Sequence, residues 1–166
     1  MRKYLVFISI SCLLLVVDNT LTPYISIAGY YPSLLWAFVL CYAWVGDISD
    51  AISLGVISGI LQDIYFYDVM GINTLTNIIL CSLICYLGRN FIKEKILVPI
   101  VLIFLASILK GVTVFIVMKI LGVNINNTVI IYRSIYDVFV AVFMFNAVNK
   151  LSKVEFMKKK WGFREN

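Results

Sequence analysis

Residues 51–75, AISLGVISGILQDIYFYDVMGINTL, place one carboxylate, Asp63, inside an apolar helical run and follow it with the turn-prone Gly71-Ile72-Asn73. A charge at the centre of a membrane helix costs about 2.5–3.5 kcal/mol even on the lower insertion scales, so its presence asks for a partner or a function. Gly55 and Gly59 precede Asp63 at four-residue steps, which puts all three on one helix face. Small residues at that spacing, with Ser58 beside them, let a second helix come close, and packing inside the same bundle is the favoured use. Gly71 suits a turn with unusual dihedrals, and Asn73 is suited to cap the next helix through its side chain.

Working outward, the chain around this stretch is oily throughout. Over 166 residues it is 62% hydrophobic and 14% charged, with a mean hydropathy of +0.98. That is more apolar surface than one soluble core can hide, so the chain reads as an integral membrane protein. Apolar windows near the roughly 20 residues needed to cross a bilayer recur with short polar interruptions. They predict an all-α bundle of about six transmembrane helices: 4–21, 32–45, 51–67, 73–87, 96–121 and 128–148. The runs lack the period-two alternation of barrel strands, and in lipid the backbone must satisfy itself, which leaves helices. Residues 1–149 form one helical domain in this reading, and residues 150–166 a basic tail.

Cations set the orientation. Arg2 and Lys3 precede the first span; Arg89, Lys93 and Lys95 lie between the fourth and fifth; Lys150, Lys153, Lys158, Lys159, Lys160 and Arg164 follow the sixth. The opposite loops, 18–31, 67–72 and 123–127, hold no Lys or Arg. The positive-inside rule then places both termini in the cytoplasm. The acidic turn Gly46-Asp47-Ile48-Ser49-Asp50 falls on that same side, with Asp50 suited to cap the third helix. The basic, apolar N-terminus reads as a retained first span ending in an external loop at Asp18-Asn19-Thr20, because no small-residue cleavage site follows. Cys12, after Ser9-Ile10-Ser11, lacks the aliphatic residue of a lipid-attachment signal. The tail mixes its cations with Phe156, Trp161 and Phe163, a composition suited to anionic headgroups or simply to anchoring.

Catalytic chemistry finds little support. The chain contains no histidine, and Cys12, Cys41, Cys81 and Cys85 fall within spans without a C-x-x-C, so packing is their expected role. No G-x-S-x-G, H-E-x-x-H or phosphate-cradling loop occurs, and neither a cofactor nor a nucleic-acid partner is expected. What remains is charge at membrane depth: Asp63, Lys110, Arg133 and Asp137. Arg133 and Asp137 are one helical turn apart, at a depth similar to that of Asp63. The expectation is a polar cluster of Asp63, Arg133 and Asp137, with Lys110 as a further carboxylate partner, serving either as a structural salt bridge or as a pathway.

The order Gly55-x-x-x-Gly59-x-x-x-Asp63, then Gly71-Ile72-Asn73-Thr74-Leu75 opening the next helix, resembles the central motif of the rod shape-determining protein MreD family. Chain length, basic N-terminus, an early external stretch running to Pro32 and the Lys-rich tail are similar to that family from end to end. The turn Tyr65-Phe66-Tyr67-Asp68 departs from it by being more aromatic. The resemblance implies a non-catalytic scaffold of the bacterial inner membrane. Its implied partners are MreC, the cytoskeletal MreB, the glycosyltransferase RodA and a class B penicillin-binding transpeptidase of lateral-wall synthesis. It also implies a fold similar to the substrate-binding subunits of energy-coupling-factor vitamin transporters. Such a subunit is the rival reading, although the first helix, with Ser9, Ser11 and Cys12, lacks the A-x-x-x-A docking face those subunits use. An ion-coupled channel resting on the Asp63/Arg133/Asp137 cluster ranks third. Homodimerisation through the Gly55/Gly59 stripe is left open.

Overall fold

A computed structural model describes residues 2–26, 32–65, 71–90, 97–122 and 128–154. Its hub is the shortest helix. Six α-helices follow in chain order: α1 (Arg2–Thr20), α2 (Leu34–Val45), α3 (Ile48–Tyr65), α4 (Ile72–Asn90), α5 (Leu97–Ile120) and α6 (Thr128–Ser152). A 3₁₀ turn, Thr22–Ile25, follows α1, and the described residues contain no strand. Helix α2 touches all five others, which stand around it in the order α1, α3, α4, α5, α6. Among the described residues the ring is open between α6 and α1, whose backbones do not come together.

This arrangement follows from the composition of α2, LLWAFVLCYAWV, which is apolar on every side. A helix of that kind belongs in an interior. Ten consecutive residues, Leu35 to Trp44, are indeed buried. Phe7 of α1 meets the Tyr42 ring edge-on, with centroids 5.0 Å apart, and the Cys41 thiol lies 3.7 Å from the Ala141 carbonyl of α6. At 12 residues α2 is only about 18 Å long, against a hydrocarbon core of roughly 30 Å. Four segments are long and apolar enough to cross a membrane: Lys3–Tyr24, Ile72–Arg89, Val98–Ile120 and Ser134–Ser152. The segments expected as the second and third spans, 32–45 and 51–67, correspond to α2 and α3, and both fall outside this set of four. Hydropathy cannot distinguish a helix buried in protein from one facing lipid.

Local chemistry sets the breaks. Ser33 caps α2 by accepting the Trp36 N–H, and Gly46 closes it by donating to Tyr42 O at 2.7 Å. Gly71 (φ +98°) and Gly122 (φ +81°) take the left-handed conformation before α4 and after α5, where a side chain would be strained. Asp18-Asn19-Thr20, expected as an external loop, is instead the last turn of α1. The basic tail continues α6 as far as Ser152. Lys93, Lys95, most of the aromatic turn and residues 155–166 lie outside the described residues.

At the end of the bundle where α1 begins, the acidic turn is neutralised locally. Lys3 Nζ meets Asp50 Oδ2 at 2.5 Å, and Arg89 reaches Asp47 at 3.6 Å. Asp50 is therefore an ion-pair partner in the first turn of α3 rather than its cap, and the helix opens at Asp47, whose carbonyl accepts from Ala51 N. Acidic residues on a cation-rich side cost little when each has a cation within reach.

Candidate functional site

Asp63 lies two residues before the end of α3, and its carboxylate closes the start of α4. Oδ1 accepts from Asn73 N at 3.0 Å, and Oδ2 accepts from Thr74 N at 3.0 Å and from Thr74 Oγ1. The first N–H groups of a helix have no partner in their own helix and carry a partial positive charge. A buried carboxylate meets both needs at once, and Asp63 is 4% exposed. The cap is thus supplied in trans by α3. Asn73 contributes its backbone N–H, and that is a correction to the expected self-cap.

The glycine stripe makes this reach feasible. A Cβ on Gly59 would lie 2.2 Å from Thr74 Cα, and one on Gly55 would lie 3.0 Å from Ile78 Cα. Helices α3 and α4 therefore run with their backbones in contact, and Gly59 brings Thr74 close to the carboxylate one turn further along. The whole Gly55/Gly59/Asp63 face is used inside the bundle. No room is left on it for a second copy of the chain.

Beneath the cap a polar layer ties four helices together. Asn77 Nδ2 of α4 donates to Ser58 Oγ (3.0 Å) and Gln62 Oε1 (3.1 Å) of α3. Lys110 of α5 donates to Gln62 Oε1 (2.6 Å) and Asn77 Oδ1 (2.7 Å), with its ammonium 4.0 Å from the centre of the Trp36 ring of α2. Trp36 Nε1 in turn donates to Ser107 Oγ of α5 at 3.0 Å. These bonds give Lys110 two amide oxygens and an aromatic face where the sequence suggested a carboxylate. In low dielectric such contacts strengthen one another, and breaking one leaves its partner costly.

A second capping centre repeats the first. Asp18 also lies two residues before the end of its helix, α1, and it holds the start of α2. Its carboxylate accepts from Leu34 N (2.7 Å), Leu35 N (3.0 Å) and Ser33 Oγ (3.1 Å). Asp137 of α6 accepts from Ser33 N at 2.9 Å. Two acids from two helices thus converge on the N-terminus of the buried hub.

The expected cluster of Asp63, Arg133 and Asp137 is divided by this geometry. Asp63 serves α4 and Asp137 serves α2, and α3 and α6 are not neighbours. Arg133 sits on α6 one turn before Asp137, and its side chain lies outside the described residues. Ser33, Gln62 and Asn77 carry no expected role in the sequence, while Asp18 reads there as a loop residue and Thr74 only as part of the motif. The signal for Asp18 and Ser33 was present: a Ser directly after Pro32 and before an apolar run marks a helix start, and a helix starting within a membrane needs an acceptor.

A family model described as rod shape-determining protein MreD matches residues 1–154, which takes in all six helices. The chain belongs to the MreD family. Its role accordingly lies in the determination of rod cell shape, and it is a multi-pass membrane protein. No curated protein and no solved structure matches the chain. For this MreD family member, the residues that carried the resemblance are the ones that build one structural unit. Gly55 and Gly59 admit α4, Gly71 turns the chain into it, and Asp63 holds its first turn through Asn73 and Thr74.

Proposed function

We propose that this chain is a non-catalytic scaffold of the machinery that elongates the lateral cell wall. It binds MreC, and through that complex it works with MreB, RodA and a class B penicillin-binding transpeptidase. The observation that carries this reading is the family match across the entire helical bundle, which favours it over the vitamin-transporter subunit. The internal chemistry supports it. Asp18, Asp63 and Asp137 accept backbone N–H groups of neighbouring helices, and Lys110 is held by Gln62, Asn77 and Trp36, so the buried polar groups fix helix positions. A scaffold needs this rigidity, since a surface already in its binding shape loses less entropy on association.

In this reading the protein sits in the inner membrane with both termini cytoplasmic, and the helix surfaces facing lipid meet the membrane anchor of MreC. The experiment is affinity purification of the chain from membranes of a rod-shaped host, paired with its depletion. MreC is expected to co-purify and depleted cells to round up. Co-purification of no MreC, together with unchanged rod shape on depletion, would remove the proposal.

A further inference from the structure

The net charge of the chain is concentrated at its C-terminal end. Over all 166 residues, 14 Lys and Arg against 9 Asp and Glu give +5. Residues 150–166 alone hold six Lys and Arg, from Lys150 to Arg164, against Glu155 and Glu165. The other 149 residues are therefore close to neutral.

The structure shows where the carboxylates of the bundle are engaged. At the end where α6 finishes, Asp50 is paired with Lys3, and Asp47 with Arg89. Asp18, Asp63 and Asp137 accept backbone N–H groups at the starts of α2 and α4. Lys150 and Lys153 are exposed and form no ion pair among the described residues. Each carboxylate among the described residues thus has a partner already, and none is left over for the cations that follow α6.

A second feature selects what those cations meet. Lys158-Lys159-Lys160-Trp161-Gly162-Phe163-Arg164 sets aromatic residues directly beside cations, with Phe156 shortly before them. A membrane surface suits both kinds of residue, because its anionic headgroups attract the cations and its boundary layer takes up aromatic rings. The run is placed to use it: Lys153 directly follows the apolar segment Ser134–Ser152. Residues 155–166 have a reach of up to about 40 Å, more than the roughly 10 Å diameter of a neighbouring helix, so headgroups beside the bundle are in range.

We propose that residues 150–166 are a binding segment for anionic lipid headgroups, on the side of the membrane where α6 ends, in which charge and aromatic residues act together. This inference does not depend on the wall-elongation reading.

The full chain in lipid nanodiscs tests it, with Trp161 as the reporter. The other tryptophans, Trp36 and Trp44, are each 2% exposed, so quenching by acrylamide in the water phase reads Trp161. Discs of phosphatidylcholine with roughly 30% phosphatidylglycerol are expected to lower quenching about threefold or more relative to phosphatidylcholine alone. Salt at about 1 M, which confines charge interactions to about 3 Å, should abolish the difference. Lys158→Gln, Lys159→Gln and Lys160→Gln together should also abolish it at low salt, and because they lie beyond the last helix the bundle should melt as in the wild type. Free quenching in both kinds of disc would make an acidic protein the partner of the segment, and protection in both that survives salt would place it on the bundle itself. Either result, or protection that the triple substitution leaves intact, would overturn the proposal.

Discussion

Asp18 and Asp63 hold the same place in two successive helical hairpins: each lies two residues before the end of its helix and caps the helix that follows. The connecting segments differ in length, yet the device is the same. A carboxylate is carried at the end of one helix to neutralise the unsatisfied N–H groups of the next.

Removing the Asp63 carboxylate should therefore loosen α4 from its start. Asp63→Ala deprives two backbone N–H groups and the Thr74 hydroxyl of their acceptor and should destabilise the protein by about 2 kcal/mol. Asp63→Asn, which keeps one acceptor oxygen, should cost less. Denaturation of the purified protein in detergent gives both values.

Two double-mutant cycles separate the capping centres. Asp63→Asn and Asp137→Asn act on different helices, so their effects should add to within about 0.5 kcal/mol. Asp18→Asn and Asp137→Asn both act on the α2 start through Ser33, and that pair should deviate from additivity by more than this. The same stability assay reads both cycles, and equal coupling in the two would show that the partition is wrong.

The glycines should rank by the space each one lacks. Gly59→Ala drives a methyl group onto the α4 backbone and should abolish folding or force the helices apart. Gly55→Ala meets Ile78 at 3.0 Å and should cost about 1–3 kcal/mol. Gly71→Ala meets nothing within 4 Å, yet its φ of +98° is disfavoured for alanine, so a loss of about 1–2 kcal/mol is expected. Expression level and melting temperature of the three variants test the order.

Lys110→Met keeps the stem of the side chain and removes the ammonium. It should destabilise by about 1–3 kcal/mol, because Gln62 Oε1 and Asn77 Oδ1 each lose a charged donor in a buried layer. Gln62→Leu added to Lys110→Met should cost less than the sum of the two single changes.

Much of the fold was legible in the sequence. Hydropathy located all six helices, with ends mostly within two or three residues, because lipid imposes one solvent on every span. The special position of α2 was less visible: its apolar run resembles a span, and only its uniform apolarity and shortness mark it as a hub. The motif was readable as a set of residues but not as a mechanism. Gly59 and Asp63 acquire their meaning from Thr74, fifteen and eleven positions away. Asp137 and Ser33 are separated by 104 positions, and no local pattern joins them. Charge pairing was the wrong guide for Asp63, since backbone N–H groups satisfy a buried carboxylate as well as a cation does.

The central claim is that Asp18 and Asp63 each hold one helix start, and amide hydrogen exchange in nanodiscs tests it most directly. Asp63→Asn should speed exchange at Asn73 and Thr74 about tenfold or more while leaving Leu34 and Leu35 at wild-type rates, and Asp18→Asn should do the reverse. Unchanged rates at all four amides, or equal acceleration of both pairs by either substitution, would contradict the account.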